Sequence, residues 1–400
     1  MVAAVVALFF IWGGLTSLND ILIPKLKGLF QLSYAEAMLT QFAFFMAYFI
    51  VSLPAGRLVA RVGYLKGIVI GLGVMALGCV MFVPAAASGV YATFLAALFV
   101  LAAGITVLQV AANPLIANLG RAATSHSRLT LAQAFNSLGT TLFPPIGAAL
   151  ILGNAQQANA ASVVGHAYVG IAIALVLVAA FFWLRRRQLP ATAEAATDLG
   201  GSFGLLRHPR LGGGVASIFL YVGAEVAIGS LLVNYLTQPD VMALSSEAAG
   251  KMLAFYWGGA MVGRFIGAGA LRLLSPGKVL AGVAVGAAAL ALLSAASTGS
   301  FAGWALLAVG LMNAIMFPTI FSLGVEGLGE RTPQGSGLLC MAIVGGALIP
   351  LAVGALADAT SLATALVIPA TCYLLIAAYG WSARRAARPA GADDAVSIFS

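Results

Sequence analysis

The residues of this sequence best placed to do chemistry are acidic side chains within long apolar segments. Glu225 lies in the middle of one such segment, and Asp20 lies late in the first. Glu326 and Asp358 lie at segment ends, where acids are ordinary interfacial residues. A charge inside a membrane segment costs roughly 2.5–3.5 kcal/mol on insertion scales, so such a residue marks a function by default. Glu225 is therefore a predicted functional residue, whereas the spacing of Asp20 fits a cavity residue and an outer-interface residue equally well.

Neutral polar side chains repeat at helical spacing in four of these segments. They are Thr106, Gln109 and Asn113; Gln133, Asn136 and Thr140; Tyr221 with Glu225; and Asn313 with Phe317. Residues three or four apart share one face of a helix, so each set forms a polar stripe. A single asparagine in a membrane helix usually bonds a neighbouring helix, whereas four such stripes indicate a wet cavity.

The chemistry of the stripes favours a neutral ligand that is rich in hydroxyl groups. Amide side chains donate and accept hydrogen bonds, as sugar hydroxyls do, and aromatic rings offer a platform for the apolar face of a sugar ring. No arginine or lysine accompanies the stripes of the first half, which argues against a strongly anionic ligand. The predicted ligand-binding residues are Gln109, Asn113, Gln133, Asn136, Tyr221, Glu225, Asn313 and Trp257.

The composition places these stripes in a membrane. Of the 400 residues, 62% are hydrophobic and 8% are charged, against about 25% charged in an ordinary soluble domain. The mean hydropathy is +1.03. Runs such as 281–296 are apolar on every side, which excludes the alternating pattern of a membrane β-barrel. The sequence therefore predicts an all-α membrane protein.

Charge breaks and Pro/Gly turns divide the chain into twelve apolar spans in two sets of six. The spans are predicted at 2–24, 36–56, 67–86, 91–118, 128–153, 163–184, 211–236, 247–271, 277–297, 300–326, 333–357 and 361–382. We predict an N-terminal six-helix bundle at 1–184, a cytoplasmic linker at 185–210, a C-terminal six-helix bundle at 211–382 and a cytoplasmic tail at 383–400. Motifs recur between the two sets at offsets of about 204–207 residues, as a parallel internal repeat requires.

The basic residues give the orientation of the spans. Of the 20 lysines and arginines, 17 fall on one side, including Arg264, Arg272 and Lys278 between spans 8 and 9. The positive-inside rule therefore places both termini in the cytoplasm. The net charge of +8 is then a topology signal and predicts no nucleic-acid partner. No signal peptide is expected, and a start of the first span at residue 2 leaves open a short leader before it.

Four motifs resemble one transporter family across both halves of the chain. They are Asn19-Asp20-Ile21-Leu22-Ile23-Pro24, Ala111-Ala112-Asn113-Pro114, the run 131–137 (LAQAFNS) and the run 317–324 (FPTIFSLG). Together they are similar to the fucose/galactose/glucose–proton symporters, a branch of the major facilitator superfamily. The resemblance implies the major facilitator fold, with twelve transmembrane helices in two six-helix halves. It also implies that Asp20 is a cavity carboxylate that couples transport to protons.

The sequence departs from the fucose-transporting members at one position. Those members carry a glutamate four residues before the asparagine of the Ala-Ala-Asn-Pro motif, and here that residue is Gln109. The glutamine and the run from Tyr221 to Glu225 are similar to the glucose/galactose branch. The resemblance therefore implies a hexose symporter rather than the fucose mechanism with two first-half carboxylates.

The predicted function is import of a neutral hexose coupled to a cation by alternating access, with protons at Asp20 and Glu225 favoured. Sodium is an alternative, with Thr16, Asn19 and Asp20 as its candidate ligands. Transport of fucose or another sugar, facilitated diffusion and drug export also stay open. No enzyme and no cofactor are expected, because the three histidines lie in or near loops and no P-loop is present. The expected partners are a sugar, H⁺ or Na⁺ and the lipid bilayer of the inner (plasma) membrane, and the protein is expected to be a monomer.

Overall fold

The computed structural model describes residues 1–30, 34–88, 90–152, 160–187 and 199–385, and for residues 18–30, 34–39, 86–87, 146–152, 160–167 and 199–201 it describes the backbone alone. The helices are α1 (Val2–Phe30), α2 (Tyr34–Val62), α3 (Tyr64–Ser88), α4 (Tyr91–Asn118), α5 (Ser125–Leu152), α6 (Ala160–Leu184), α7 (Leu199–Gly204), α8 (Pro209–Leu236), α9 (Ser246–Ala270), α10 (Pro276–Ala295), α11 (Gly299–Asn313), α12 (Met316–Val325), α13 (Thr332–Met341), α14 (Gly345–Ala359), α15 (Leu362–Ala365) and α16 (Val367–Ser382). The part of the chain that the structure describes contains no strand.

Each of the twelve predicted spans coincides with one helix or with two consecutive helices. Among the described residues, eight helical segments are long and apolar enough to cross a membrane. Helix α9 is not one of them, although it has 25 residues. It carries Glu247, Lys251 and Arg264, so its polarity indicates polar contacts with the rest of the protein.

The helices group into two compact units, here called unit 1 and unit 2. Unit 1 comprises Met1–Leu119 and Leu131–Ala196, and unit 2 comprises Gly120–Thr130 and Thr197–Ser400. In unit 1, α3 packs against α4 and α6, and in unit 2, α8 packs against α12, α14 and α16. The segment 120–130, which includes the first turns of α5, belongs to unit 2. The domain boundaries drawn at 184/185, 210/211 and 382/383 stay predictions.

Glycines let neighbouring helices approach to backbone contact in both units. A Cβ on Gly104 of α4 would lie 2.4 Å from the backbone nitrogen of Met75 in α3. A Cβ on Gly310 of α11 would lie 2.1 Å from the carbonyl oxygen of Tyr256 in α9. The hydrophobic effect does not drive association between helices in lipid, so the helices associate through the close packing that such small residues allow.

Span 10, predicted at 300–326, is present as the apolar segment Gly299–Val325, which is long enough to cross a membrane and contains one turn. Helix α11 ends at Asn313, α12 begins at Met316, and Ala314 and Ile315 form a turn between them. The cause lies in Pro318, which has no N–H to donate to the carbonyl of Ala314 four residues earlier and whose ring crowds that carbonyl. Irregular backbone at membrane depth is tolerated only where protein or a cavity satisfies it.

Candidate functional site

The polar stripes of unit 1 form an amide cluster, defined as Gln109, Asn113, Gln133 and Asn136. Helix α4 holds Gln109 and Asn113 one turn apart, and both side chains are buried. Gln109 Nε2 donates a hydrogen bond to the hydroxyl of Tyr48 in α2 at 2.6 Å. Sequence reasoning missed Tyr48 because it lies in an aromatic run (FAFFMAYF) that is typical of a lipid-facing helix.

Helix α5 brings its own stripe to the same cluster. Gln133 Nε2 donates to Asn113 Oδ1 at 3.3 Å, and Asn136 Nδ2 donates to the carbonyl oxygen of Phe9 in α1 at 3.0 Å. Asn113 is fully buried, yet its Nδ2 has no hydrogen-bond partner among the described residues. A buried amide donor left without a partner costs about 1–3 kcal/mol, so a ligand that accepts this hydrogen bond gains from it.

The candidate coupling residues of α1 lie partly outside the described residues. Asn19 and Asp20 lie within this helix, and only their backbone is described. Thr16, one turn before Asp20, is described in full, and its hydroxyl donates to the carbonyl oxygen of Gly13 at 2.9 Å. The roles of all three residues stay predictions.

The stripes of unit 2 form a second group, here called the Glu225 cluster and defined as Tyr221, Glu225, Tyr256 and Asn313. The Tyr221 hydroxyl, one turn from Glu225 on α8, donates to Glu225 Oε1 at 2.7 Å. The Tyr256 hydroxyl of α9 lies 3.3 Å from the carbonyl oxygen of Glu225 and accepts from Asn313 Nδ2 at 2.8 Å. The sequence therefore predicted three residues that the structure brings together, and Tyr256 completes the cluster.

The helix break is part of this cluster. The Tyr221 hydroxyl lies 3.2 Å from the carbonyl oxygen of Asn313, the last residue of α11. Arg264 Nε donates to the carbonyl oxygen of Ala314 at 3.1 Å, which satisfies the acceptor that Pro318 leaves open. The positive-inside rule had assigned Arg264 to a cytoplasmic loop, but it lies inside α9. Two features of the sequence accompany this position: the pair Gly56-Arg57 recurs as Gly263-Arg264, and a proline follows Ala314 by four residues.

The remaining candidates lie at the periphery of the Glu225 cluster or outside it. Trp257 is 44% exposed, and its ring meets that of Tyr256 edge-on with the centroids 5.1 Å apart. Glu326 forms an ion pair with Arg210, and Asp358 is exposed near the end of α14. These two acids thus occupy the end positions expected of interfacial residues.

One titratable group lies just before the fifth predicted span. His126, in segment 120–130, is buried, and its Nδ1 lies 2.6 Å from the hydroxyl oxygen of Ser322 in α12. Burial, together with the nearby positive charge of Arg210, lowers the pKa of His126 from 6.5 to about 4. This imidazole is therefore neutral at ordinary pH and binds by hydrogen bonding alone.

The side chains of the two clusters are suited to binding polar ligands. The described residues include no group of three or more His, Cys, Asp or Glu side chains that could hold a metal ion. The amide cluster presents neutral donors and acceptors, and the Glu225 cluster presents a carboxylate flanked by tyrosines. Such arrangements recognise hydroxyl groups and cations.

Comparison with known proteins agrees with this architecture. The family model of the Major Facilitator Superfamily matches residues 4–350. A glucose/galactose transporter of Brucella abortus biovar 1 (strain 9-941) is 53% identical over 378 residues, covering 93% of this chain and 91% of that protein. The L-fucose-proton symporter of Escherichia coli (strain K12) is 35% identical over 404 residues, covering 94% and 91%.

A solved structure extends the agreement to the fold. The crystal structure of FucP, a Major Facilitator Superfamily transporter in the outward conformation, superposes with a TM-score of 0.88 at 34% identity, covering 96% of this chain and 98% of that one. The resemblance read from the four motifs is thereby confirmed, as is the predicted fold class. The chain belongs to the Major Facilitator Superfamily and is a multi-pass membrane transporter rather than an enzyme.

Proposed function

We propose that this chain is a symporter that imports a neutral hexose, such as glucose or galactose, by alternating access and couples its import to protons. The observation that carries the proposal is the amide cluster, which is neutral and buried except for the half-buried Asn136, and which holds one donor, Asn113 Nδ2, without a partner among the described residues. A sugar hydroxyl or ring oxygen is the natural acceptor for that donor. The names of the relatives, glucose/galactose transporter and L-fucose-proton symporter, support the same ligand class.

The proposal assigns roles to the two clusters and to α1. The proposed sugar-binding residues are Gln109, Asn113, Gln133, Asn136, Tyr221, Glu225, Asn313 and Trp257. Asp20 is the proposed proton-coupling residue, with Glu225 as a second candidate. Asp20 takes up a proton from the outer side, sugar binds, and both are released inside. A neutral Asp20 lowers the cost of carrying the occupied site through low dielectric.

The proposed cellular setting follows from the charge distribution. The excess of basic residues on one side supports cytoplasmic termini in the inner membrane. The surrounding partner is then the lipid bilayer, and we propose that the monomer is the transporting unit.

The test is counterflow uptake of labelled glucose, galactose and fucose into liposomes that contain the purified protein, with imposed proton or sodium gradients. We expect glucose or galactose to accumulate under an inward proton gradient alone. Accumulation under a sodium gradient alone would transfer the coupling role to the Thr16, Asn19 and Asp20 set, and uptake of fucose alone would change the substrate.

A control for the other functional class uses the same preparation. If no sugar moves under any gradient, the sugar proposal is wrong, and export of an amphipathic dye from the same liposomes would identify a drug exporter. Protein denatured before reconstitution sets the background for both assays.

A further inference from the structure

The described residues use only part of the hydrogen-bonding capacity of the Glu225 carboxylate. Tyr221 donates to Oε1, and the residues that the structure describes make no other hydrogen bond to this carboxylate. Glu225 is half-buried, so the carboxylate is not sealed within the packing. A carboxylate accepts at about four lone-pair sites. The side chain therefore retains acceptor capacity that a ligand can use.

The single hydrogen of the Tyr221 hydroxyl is donated in a contact that an ionised Glu225 accepts more strongly than a protonated one. Two acceptors lie within reach of it, Glu225 Oε1 at 2.7 Å and the carbonyl oxygen of Asn313 at 3.2 Å. The shorter contact is the one to the carboxyl group, as expected when the acceptor is ionised, because charge-assisted bonds are shorter and stronger. A protonated Glu225 would instead have a hydrogen of its own to donate.

Among the residues whose side chains the structure describes, four charged or titratable groups act on Glu225. They are Tyr221 from α8, Tyr256 and Arg264 from α9, and Tyr373 from α16. Arg264 is the one cation among them, and its charge attracts the carboxylate. Burial opposes ionisation, whereas this attraction and the Tyr221 hydrogen bond both favour the charged form.

The helix break holds the Arg264 side chain in position. Its Nε donates to the carbonyl oxygen of Ala314. This carbonyl lacks its usual helical donor because Pro318 has no N–H. The same break presents the Asn313 carbonyl to Tyr221. The turn in span 10 thus contacts both Arg264 and Tyr221, the two residues that favour the ionised form of Glu225.

We propose that Glu225 is an ionised acceptor for substrate hydroxyls throughout transport and takes no part in proton coupling, with Arg264 as the positioning residue that keeps it ionised. The proposal rests on the sugar symport proposed above and narrows it. Proton coupling is then left to Asp20, and the carboxylate of unit 2 selects the ligand by its hydroxyl groups.

The first test is Glu225→Gln in proteoliposomes, with labelled glucose and galactose. Because a hydrogen bond to a charged group is stronger than one to a neutral amide, we expect the apparent affinity to fall about tenfold. At saturating sugar, accumulation under a proton gradient should persist. Glu247→Gln, an exposed glutamate at the start of the neighbouring helix α9, is the matched control and should leave both quantities unchanged.

A scan of deoxy sugars separates ligand contact from structural damage. In the wild type, removal of the hydroxyl that Glu225 accepts should weaken binding by about tenfold or more, since the site is left with an unpaired acceptor. In Glu225→Gln the penalty for that same sugar should shrink, while penalties for the other positions stay the same. A variant that merely loosened the fold would weaken all sugars alike.

The role of Arg264 is tested by pH. In Arg264→Gln we expect the apparent affinity for sugar to improve as the pH rises, because the carboxylate then ionises only at higher pH. Arg264→Lys should restore the wild-type pH profile, and Glu225→Gln/Arg264→Gln should show no such titration. The Glu225 tests stand even if Arg264→Gln fails to fold, since they leave the helix break intact.

Distinct outcomes overturn the two proposals. Wild-type protein that moves no sugar contradicts the sugar symport. If the wild type transports sugar, a Glu225→Gln variant that binds sugar normally removes the ligand role of Glu225. A variant that exchanges sugar but no longer accumulates it makes Glu225 a coupling residue. Either result overturns this inference alone. A flat pH profile in Arg264→Gln with unchanged affinity removes the role given to Arg264.

Discussion

Unit 1 and unit 2 each bury an asparagine shortly before a proline, and the two asparagines have different surroundings. Asn113 stands next to Pro114, and α4 continues through this proline to Asn118 without a break. Asn313 ends α11, five residues before Pro318, and the helix resumes only at Met316. The comparison shows that a proline predicts which carbonyl loses its donor but does not predict whether the helix breaks.

The two clusters also differ in charge. The amide cluster is neutral, and its Asn113 Nδ2 has no partner among the described residues. In the Glu225 cluster, the corresponding Asn313 Nδ2 is bonded to Tyr256, and a carboxylate and a cation lie around it. One unit thus leaves the buried amide donor of its asparagine without a partner among the described residues, whereas the other bonds that donor to a tyrosine hydroxyl.

The largest effect is expected from the pair Asp20→Asn and Glu225→Gln. Asp20→Asn should abolish accumulation of sugar and retain exchange across the membrane, because the proton site is lost and the binding residues remain. Glu225→Gln should keep accumulation at saturating sugar and lower the apparent affinity for sugar about tenfold. Accumulation and exchange are measured side by side in proteoliposomes for both variants. Loss of sugar binding in a folded Asp20→Asn protein would contradict a pure coupling role for Asp20.

The next largest effect is a loss of stability when a methyl group is added at a tight helix crossing, and we expect it to be similar in the two units. Gly104→Ala and Gly310→Ala each place a methyl group within 2.4 Å or less of a neighbouring backbone atom. Overpacking of this kind costs about 1–3 kcal/mol or more, so we expect low yields and a lowered melting temperature in detergent for both. Gly73→Ala and Gly282→Ala are the controls, since nothing lies within 4 Å of either added methyl. A tolerant Gly310→Ala would argue against the tight contact between α9 and α11.

The two asparagines give the sharpest contrast between the units. Asn113→Leu removes a donor without a partner among the described residues and also the acceptor of the long 3.3 Å bond from Gln133, so the melting temperature should change little while sugar affinity falls. Asn313→Leu removes the bond to Tyr256 and should cost about 1 kcal/mol of stability. Thermal unfolding and counterflow on the same samples test both. If the two variants lose stability equally, the division between an open donor and a structural one is wrong.

The smallest effect belongs to segment 120–130. His126 has a pKa of about 4 when folded and about 6.5 when unfolded, so the unfolded state binds more protons below pH 6.5 and stability falls as the pH drops through that window. Between about pH 7.5 and 5.5 this amounts to roughly 1 kcal/mol. His126→Gln keeps a partner for Ser322 and should melt with a flatter pH dependence. An unchanged slope would show that other groups set it.

The helices and their polar faces followed from the sequence because membrane spans are recognisable by length and hydropathy. Gln109 with Asn113, and Tyr221 with Glu225, lie four residues apart, and helical spacing alone brings each pair to one face. The contact between Gln133 and Asn113, which lie on different helices, was anticipated only as a shared cavity. Hydropathy carries no information on which helices adjoin.

Two features lay beyond the sequence for physical reasons. The break after Asn313 depends on side chains from α8 and α9 that satisfy the freed carbonyls, and such partners are tertiary. Arg264 resembled a cytoplasmic anchor because positive charges near span ends usually are anchors. Only the position of Ala314 beside it shows that the guanidinium binds backbone inside the protein.

The break in span 10 also has a consequence for synthesis in the cell. Helices α11 and α12 together form one segment of 27 residues, Gly299–Val325, that is long enough to cross a bilayer, but the turn between them leaves carbonyl groups that need partners. Helices α8 and α9 are translated earlier, so Tyr221 and Arg264 have already left the ribosome when the exposed carbonyls of Asn313 and Ala314 emerge. The order of the helices along the gene thus supplies partners before the segment that needs them.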